Sequence, residues 1–295
     1  MNTDISIIYH LGAPFTDDDQ LTWSLRQDNQ LMIDNGVLIR RPKEYRIAIK
    51  ALLDKLRGTA PSVADQEKLL QSIIRKQDVR RIIMSDPTFM GSPVWMFFGG
   101  DFYPNAGKNT AAIRNLFPQN PCEFYLGISN PASFVPTAFK DQTKRRYEQF
   151  VEGVDLSKLR WSEVIHSIQR ANPGCPVTVW CNEDTPIIWP KVLRSFAGLG
   201  PDVRLKGELD ILRGLMSDDN VELLIKYLAE RPDLSEKQRQ QIRMIFLERF
   251  ALEEAVEDEI DLPGWTEQLV DHLTDIYEDD VAHIQQMPGV TLISL

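Results

Sequence analysis

Three consecutive carboxylates, Asp17, Asp18 and Asp19, follow the turn His10-Leu11-Gly12 at the end of a short apolar run. Ile5 to Tyr9 reads as a buried strand. Beyond the turn, Leu21 and Leu25 stand one helical turn apart and open an amphipathic helix. Strand, tight turn and helix start together give the layout of a phosphate-binding unit, because a helix N-terminus aims unpaired N–H groups and its positive dipole end at an anion. Here the positions that would face the anion are acidic. Two unit charges about 5 Å apart interact by roughly 3 kcal/mol at an effective dielectric of about 20, so three carboxylates oppose a bound phosphate.

The other predicted strand ends carry polar groups as well. Asp86 follows Arg80 to Met84, Asn130 follows Glu123 to Ile128, and Glu183 and Asp184 follow Pro176 to Cys181. Ligands of parallel α/β sheets bind beyond the carboxyl ends of strands, so convergence of these groups would make an acidic crevice. Such a crevice favours a divalent cation held by oxygen ligands, with Asp17, Asp18, Asp19, Asp86 and Glu183 as candidate ligands, or a cationic small molecule or peptide. The plainer alternative is that Asp17 or Asp18 caps the helix and the remaining acids are solvated. His10 is the candidate general acid or base, with a hydrogen-bonded structural histidine as its alternative. His166, His272 and His283 fall in helices and form no metal-spaced pair.

The elements that would position these groups alternate along the first two thirds of the chain. Val37 to Arg41 reads as an extended connection, and Tyr45, Ile49, Leu52, Leu53 and Leu56 mark one helix face up to Gly58. A second helix spans Asp65 to Gln77. The stretch from Phe89 to Gly107, with six aromatics and four glycines, reads as a long loop, either a ligand-covering lid or a segment anchored by its own apolar side chains. Helices follow at Lys108 to Phe117, within Ser133 to Gly153, at Trp161 to Ala171, and from Pro186 to Gly198. From Gly207 the pattern is helical only: Glu208 to Met216, Val221 to Glu230, Ser235 to about Asp258 and Trp265 to Met287. Ser235 and Gln238 supply a start signal of the capping-box kind. Val290 to Leu295 is a candidate fifth strand. The expected fold is α/β, a parallel sheet of about five strands flanked by helices, in a single domain 1–295 whose 207–289 portion is mostly helical. Trp23, Trp161, Trp180, Trp189 and Trp265 are expected to be core or half-buried packing.

Composition narrows the function classes. The net charge of −10 is concentrated: Glu248 to Asp280 holds thirteen acids against Arg249 alone, a surface that repels nucleic acid and anionic membranes. Cys122, Cys175 and Cys181 show no CxxC spacing and fit neither a zinc site nor a disulfide framework. No apolar run approaches the length of a membrane span and no leader pattern opens the chain, so a soluble cytoplasmic protein is expected. The basic run Lys140, Lys144, Arg145 and Arg146 is either an anion-holding patch or a solvated helix face.

The opening stretch resembles the phosphosulfate loop of bacterial P-loop sulfotransferases, which place a strand and His-x-Gly before a Lys-Thr-Gly-Thr-Thr-Ser-Leu run. His10, Gly12, Thr16 and Leu21 match. Phe15 stands at the lysine, Asp17 at the glycine, and Asp18 and Asp19 at the paired threonines. The family's second motif is an arginine followed by Asn or Asp and Pro, then a serine and an aromatic; its members hold the nucleotide's 3′-phosphate. In Ile128-Ser-Asn-Pro-Ala-Ser-Phe-Val-Pro-Thr-Ala-Phe139, Asn130 and Pro131 match, Ser129 takes the arginine position, Thr137 the serine and Phe139 the tyrosine. Trp180 to Asp184, Pro263-Gly264-Trp265 and Tyr277 to Val290 extend the resemblance.

The resemblance implies a sulfotransferase-type fold and assigns Gly12, Thr16, Asp17, Asp18, Asp19, Asn130 and Thr137 to the cofactor-binding positions. Loss of the lysine and of the guanidinium removes charge-assisted phosphate contacts. It implies a degenerate, sulfotransferase-like protein that does not use phosphoadenosine phosphosulfate in the family manner and acts by binding a small molecule or protein partner. The alternative is an active sulfotransferase, or a metal-assisted transferase with a divalent metal in the acidic crevice, acting on an unidentified acceptor.

Overall fold

The computed structural model describes residues 4–12, 19–74, 78–141, 145–252 and 262–295. Its centre is a six-stranded sheet of β1 (Ser6–His10), β2 (Val37–Ile39), β3 (Arg81–Ser85), β4 (Cys122–Ile128), β5 (Val177–Cys181) and β6 (Val290–Ile293), in the order β2-β3-β1-β4-β5-β6. Every pairing is parallel. The sheet thus exceeds the expected five strands by β2, within the stretch read as an extended connection. Val37, Leu38 and Ile39 are all buried, and three residues are too few for sequence periodicity to separate a strand from a linker.

The helices of the described residues run α1 (Gln20–Arg26), α2 (Asn29–Asp34), α3 (Arg46–Leu56), α4 (Val63–Ile73), α5 (Ala106–Arg114), α6 (Pro131–Asp141), α7 (Tyr147–Phe150), α8 (Trp161–Ala171), α9 (Thr185–Ala197), α10 (Asp218–Ala229), α11 (Glu236–Phe250) and α12 (Glu267–Ile284). They cover both faces, which is why the strands read as continuous apolar runs. Ile7, Tyr9, Ile82, Met84, Phe124, Leu126 and Val179 pack on one side with residues of α3, α4, α5, α6, α8 and α12. Ile8, Ile83, Tyr125 and Trp180 pack on the other with α1 and α9. The alternation follows directly from the period of two along each strand. Gly107 allows α5 to lie directly on α8: a Cβ there would stand 2.5 Å from the Ser167 carbonyl oxygen.

Three expected helices are cut differently. The stretch read as one helix within Ser133 to Gly153 contains α6, described as far as Asp141, and the separate single turn α7 after an extended Arg146. Glu208 to Met216 is two 3-10 turns, Lys206–Leu209 and Ile211–Gly214. Between them the Asp210 carboxylate accepts bonds from Gln20, Ser24 and Gln27 of the first helix region, at 3.3, 2.6 and 2.6 Å. These bonds pin a turn where a regular helix would have carried Asp210 past them. The helix expected over Ser235 to Asp258 ends at Phe250, and Ala251 turns extended to bridge Met216.

α10 packs with Leu212 and Met216 in a separate small core. α11 is tied to α9 by Arg243, fully buried, which donates to the Ile187 carbonyl at 3.1 Å and pairs with Glu236 at 2.6 Å. Glu236 also meets Arg194 at 3.2 Å and Arg204 at 2.8 Å. Trp161, Trp180 and Trp189 are buried and Trp265 is half-buried. Trp23, expected to be core or half-buried packing, is 63% exposed, because the buried face of α1 is set by Leu21, Thr22, Ser24 and Leu25. Among the described residues no helix is long and apolar enough to cross a membrane.

Candidate functional site

The end of β1 sets the first part of the site. His10 is fully buried: its Nδ1 lies 2.9 Å from Ser85 Oγ, and its ring stacks on Trp180 and meets the edge of Phe196. The imidazole therefore faces the core layer under α9, and its hydrogen bond joins β1 to β3. Gly12 follows with φ +47°, so the turn out of β1 favours glycine by its backbone conformation. Thr16, Asp17 and Asp18, with Phe15, lie outside the described residues.

Asp19 re-enters as the residue before α1, in a left-handed conformation with φ 67°, and its side chain makes no capping bond. Its carboxylate instead meets the Arg46 guanidinium, Nη2 to Oδ1 at 2.6 Å. Arg46 Nε donates to the Ser85 carbonyl at 3.0 Å and lies 3.3 Å from Asp86 Oδ2. One guanidinium from the first turn of α3 thus gathers the β1 loop and the β3 end. Beside it, Tyr45 O–H donates to the Ser85 carbonyl and accepts from the Ser85 N–H, at 2.9 and 2.6 Å. Arg46 was not anticipated from sequence. The signal for it was present: Pro42 opens a short 3-10 turn, Pro42–Glu44, and Arg46 is the first residue of the helix that follows.

The second part lies at the ends of β4 and β5. Glu183 Oε1 accepts from the Asn130 N–H at 2.7 Å and from Ser129 Oγ at 3.0 Å. Its Oε2 accepts from the Tyr277 hydroxyl at 2.9 Å. Asn130 caps α6, its Oδ1 accepting the Ala132 N–H at 2.9 Å, while its Nδ2 donates to Thr274 Oγ1 at 2.9 Å. Trp161 Nε1 holds the Ser129 carbonyl at 2.8 Å. Thr137 Oγ1 donates to the Ser133 carbonyl, one turn back on its own helix, at 2.9 Å.

Burial, together with the negative charge of Glu183, pushes the Tyr277 phenol well above its usual range, so it stays a protonated donor. Burial also pushes the Cys181 thiol up, to about 11. Burial first, then Glu183, raises the Asp184 carboxyl.

A second carboxylate repeats the pattern. Asp280, buried on α12, accepts the Ser162 N–H at 3.1 Å and a short bond from Ser162 Oγ, at the N-terminus of α8. Thr274, Tyr277 and Asp280 recur every three residues and form one polar line on the buried side of α12. The acidic count of Glu248 to Asp280 hides this line, because two of its members are uncharged.

The predicted ligands do not form one cluster. Asp19 and Asp86 meet on Arg46, whereas Glu183 follows β5, three strand spacings from β3 across β1 and β4, or about 14 Å at a usual spacing. Among the described residues no group of three or more His, Cys, Asp or Glu is placed to hold a metal ion. The aromatic loop is largely anchored: Phe89, Met96, Phe97 and Tyr103 are buried, Phe97 packs on Phe150, and Phe102 packs on Trp161. Trp95 and Phe98 project outward, with the Arg145 guanidinium over the Trp95 ring. His166 and His283 share the wall of an open cleft of about 410 Å³ between α8 and α12.

No family model and no curated protein matches the chain. Among solved structures it is similar to a sulfotransferase from Alicyclobacillus acidocaldarius, at 11% identity over 85% of this chain and 98% of that one, with a TM-score of 0.42. It is also similar to retinol dehydratase in complex with androsterone and inactive cofactor PAP, at 11% identity over 94% of this chain and 80% of that one, with a TM-score of 0.33. Neither likeness bears on the chemistry of the site.

Proposed function

We propose that this chain is a degenerate sulfotransferase-like protein whose 3′-phosphate position is filled by its own Glu183, and that it works as a binding or interaction protein. One observation carries the reading. Glu183 Oε1 takes the Ser129 hydroxyl and the Asn130 N–H, the two donors nearest the position where the resembled family keeps its arginine. A phosphate brought there would lose those donors and meet a carboxylate. At about 4 Å and an effective dielectric of about 20, each pair of unit charges costs about 4 kcal/mol, comparable with the whole binding free energy of a millimolar ligand. The residues present therefore do not fit the nucleotide's 3′-phosphate.

The return of α12 onto α6 and α8, and of β6 onto β5, supports reading residues 1–295 as one domain. The three free thiols are compatible with a reducing compartment such as the cytoplasm. The partner is a small molecule or protein.

The test is a thermal-shift titration with 3′-phosphoadenosine 5′-phosphate, with and without magnesium. No shift in either arm is expected. A saturable shift without metal would return the protein to the active sulfotransferases. A shift with magnesium alone would replace this reading by the metal-assisted transferase.

A further inference from the structure

At the opposite end of the sheet from the strand ends discussed above, where β4 and β5 begin, two cysteines face one another. Cys122 opens β4, two residues before Phe124, and Cys175 precedes β5, two residues before Val177. Phe124 and Val177 are register partners in the parallel pair β4–β5, and the Phe124 N–H bonds the Pro176 carbonyl at 3.0 Å, so the register continues back to the cysteines. Adjacent strands lie about 4.8 Å apart, inside the Cα separation that a disulfide spans. The two thiols are near enough for each to bias the ionisation of the other.

The two sulfurs differ in setting. Cys122 is buried beside Tyr9 of β1. Cys175 is half-exposed in a turn whose neighbours Pro173, Gly174 and Pro176 are exposed. The Cys122 thiol and the Arg114 guanidinium of α5 both favour its ionised form. A guanidinium beside a cysteine is a setting that stabilises a thiolate. The remaining charge nearby is Glu123, whose carboxylate is paired with Arg81 at 3.0 Å. The influence of Cys122, followed by that of Arg114, brings the Cys175 thiol down to about 6, while Cys175 and burial push Cys122 far up. Of the two thiols Cys175 is the one held lower, and it is also the more exposed.

We propose that Cys175 and Cys122 form a dithiol site reactive toward peroxides, with Cys175 as the attacking sulfur and Cys122 as the resolving one. The Cys175 thiolate displaces hydroxide from hydrogen peroxide, breaking the O–O bond and forming the sulfenic acid. The Cys122 sulfur then attacks that sulfenic sulfur; its own proton leaves with the sulfenic oxygen as water, and the disulfide closes between β4 and β5. Sulfur supplies the two electrons that reduce the peroxide. An external dithiol reverses the bond by exchange. Cys181, also half-buried but with its thiol pushed up rather than down, supplies an internal control.

The experiment treats the reduced native protein with hydrogen peroxide, alkylates the remaining thiols, and maps the peptides without reduction. A peptide pair joined at Cys122–Cys175, with Cys181 still alkylated, is expected. Cys122→Ser should stop the reaction at a Cys175 sulfenic acid that a cyclic 1,3-dione labels. Assayed at pH of about 5, below the Cys175 value, Arg114→Met should slow the oxidation by up to about tenfold, the loss of thiolate expected for one pKa unit of stabilisation. Failure of the bridge to form in the native wild-type protein, or oxidation of Cys181 before Cys175, would overturn the assignment. Because the deciding readout is on the wild-type chain, a poorly folding variant does not blunt it.

Discussion

Glu183 and Asn130 meet across two strand ends: the carboxylate after β5 accepts the backbone N–H that leads into α6, at 2.7 Å. A helix entrance suited to an external anion is thereby answered from within the protein. Asp280 does the same for α8 through Ser162. Both carboxylates are reached by α12, directly as its own Asp280 or through its Tyr277, so the last long helix fastens the crossover layer it covers.

Replacing Glu183 by alanine should expose this dependence. Ser129 Oγ, the Asn130 N–H and the Tyr277 hydroxyl all lose their acceptor, and a buried donor left unpaired costs about 1–3 kcal/mol. The urea midpoint should fall accordingly, and Glu183→Gln, which keeps one carbonyl acceptor, should recover part of the loss.

Glu236→Ala should be the more severe change. It leaves Arg243 and Arg194, both buried, without their shared carboxylate, and breaking a buried pair from one side costs about 3–5 kcal/mol. Burial works against ionisation of Glu236, but Arg243, Arg194 and Arg204 outweigh it and hold its carboxyl below the usual range. A depressed carboxyl contributes stability above its unfolded pKa that is lost as pH falls through the folded value. Equilibrium denaturation from neutral pH into the acid range should show wild type converging on the variant.

Alkaline pH should act through tyrosine. Burial is the main reason that Tyr9, Tyr45, Tyr103 and Tyr277 are all raised, so the folded chain keeps protons that the unfolded chain sheds above its ordinary phenol pKa. The stabilisation is complete below pH of about 10 and declines above it, by about 1.4 kcal/mol per pH unit for each such phenol until its folded pKa is reached. Tyr277→Phe should flatten the slope of denaturation midpoint against pH above that point.

Arg46→Met should cost little by comparison. Its pairs with Asp19 and Asp86 are part-exposed, and pairs of that kind contribute up to about 1 kcal/mol. Removing the guanidinium leaves two carboxylates at one strand end, so manganese at millimolar concentration should raise the melting temperature of the variant more than that of wild type.

The strands at β1, β3, β4 and β5 were legible because a sheet buried on both faces needs unbroken apolar runs, as in Arg81-Ile82-Ile83-Met84. Helix α8 was legible to the residue, since Trp161, Val164, Ile165 and Ile168 repeat at helical spacing. β2 was not, because its three residues carry no period and its pairing with β3 is a long-range fact. Nor was the breaking of Glu208 to Met216, decided by bonds from Asp210 to side chains more than 180 residues earlier.

At the site, sequence by itself determined which polar residues stand at strand ends: His10, Asp86, Asn130 and Glu183. That follows from chain order, because a strand's carboxyl end is wherever its apolar run stops. Tertiary structure alone decided what each faces. His10 turns into the core because the alternation along β1 places it on the face under α9, whereas Asp19 and Asp86 turn to Arg46 and Glu183 turns to Asn130 and Tyr277. A carboxylate is satisfied by whichever donor the fold brings within about 3 Å, and that donor can come from any point along the chain.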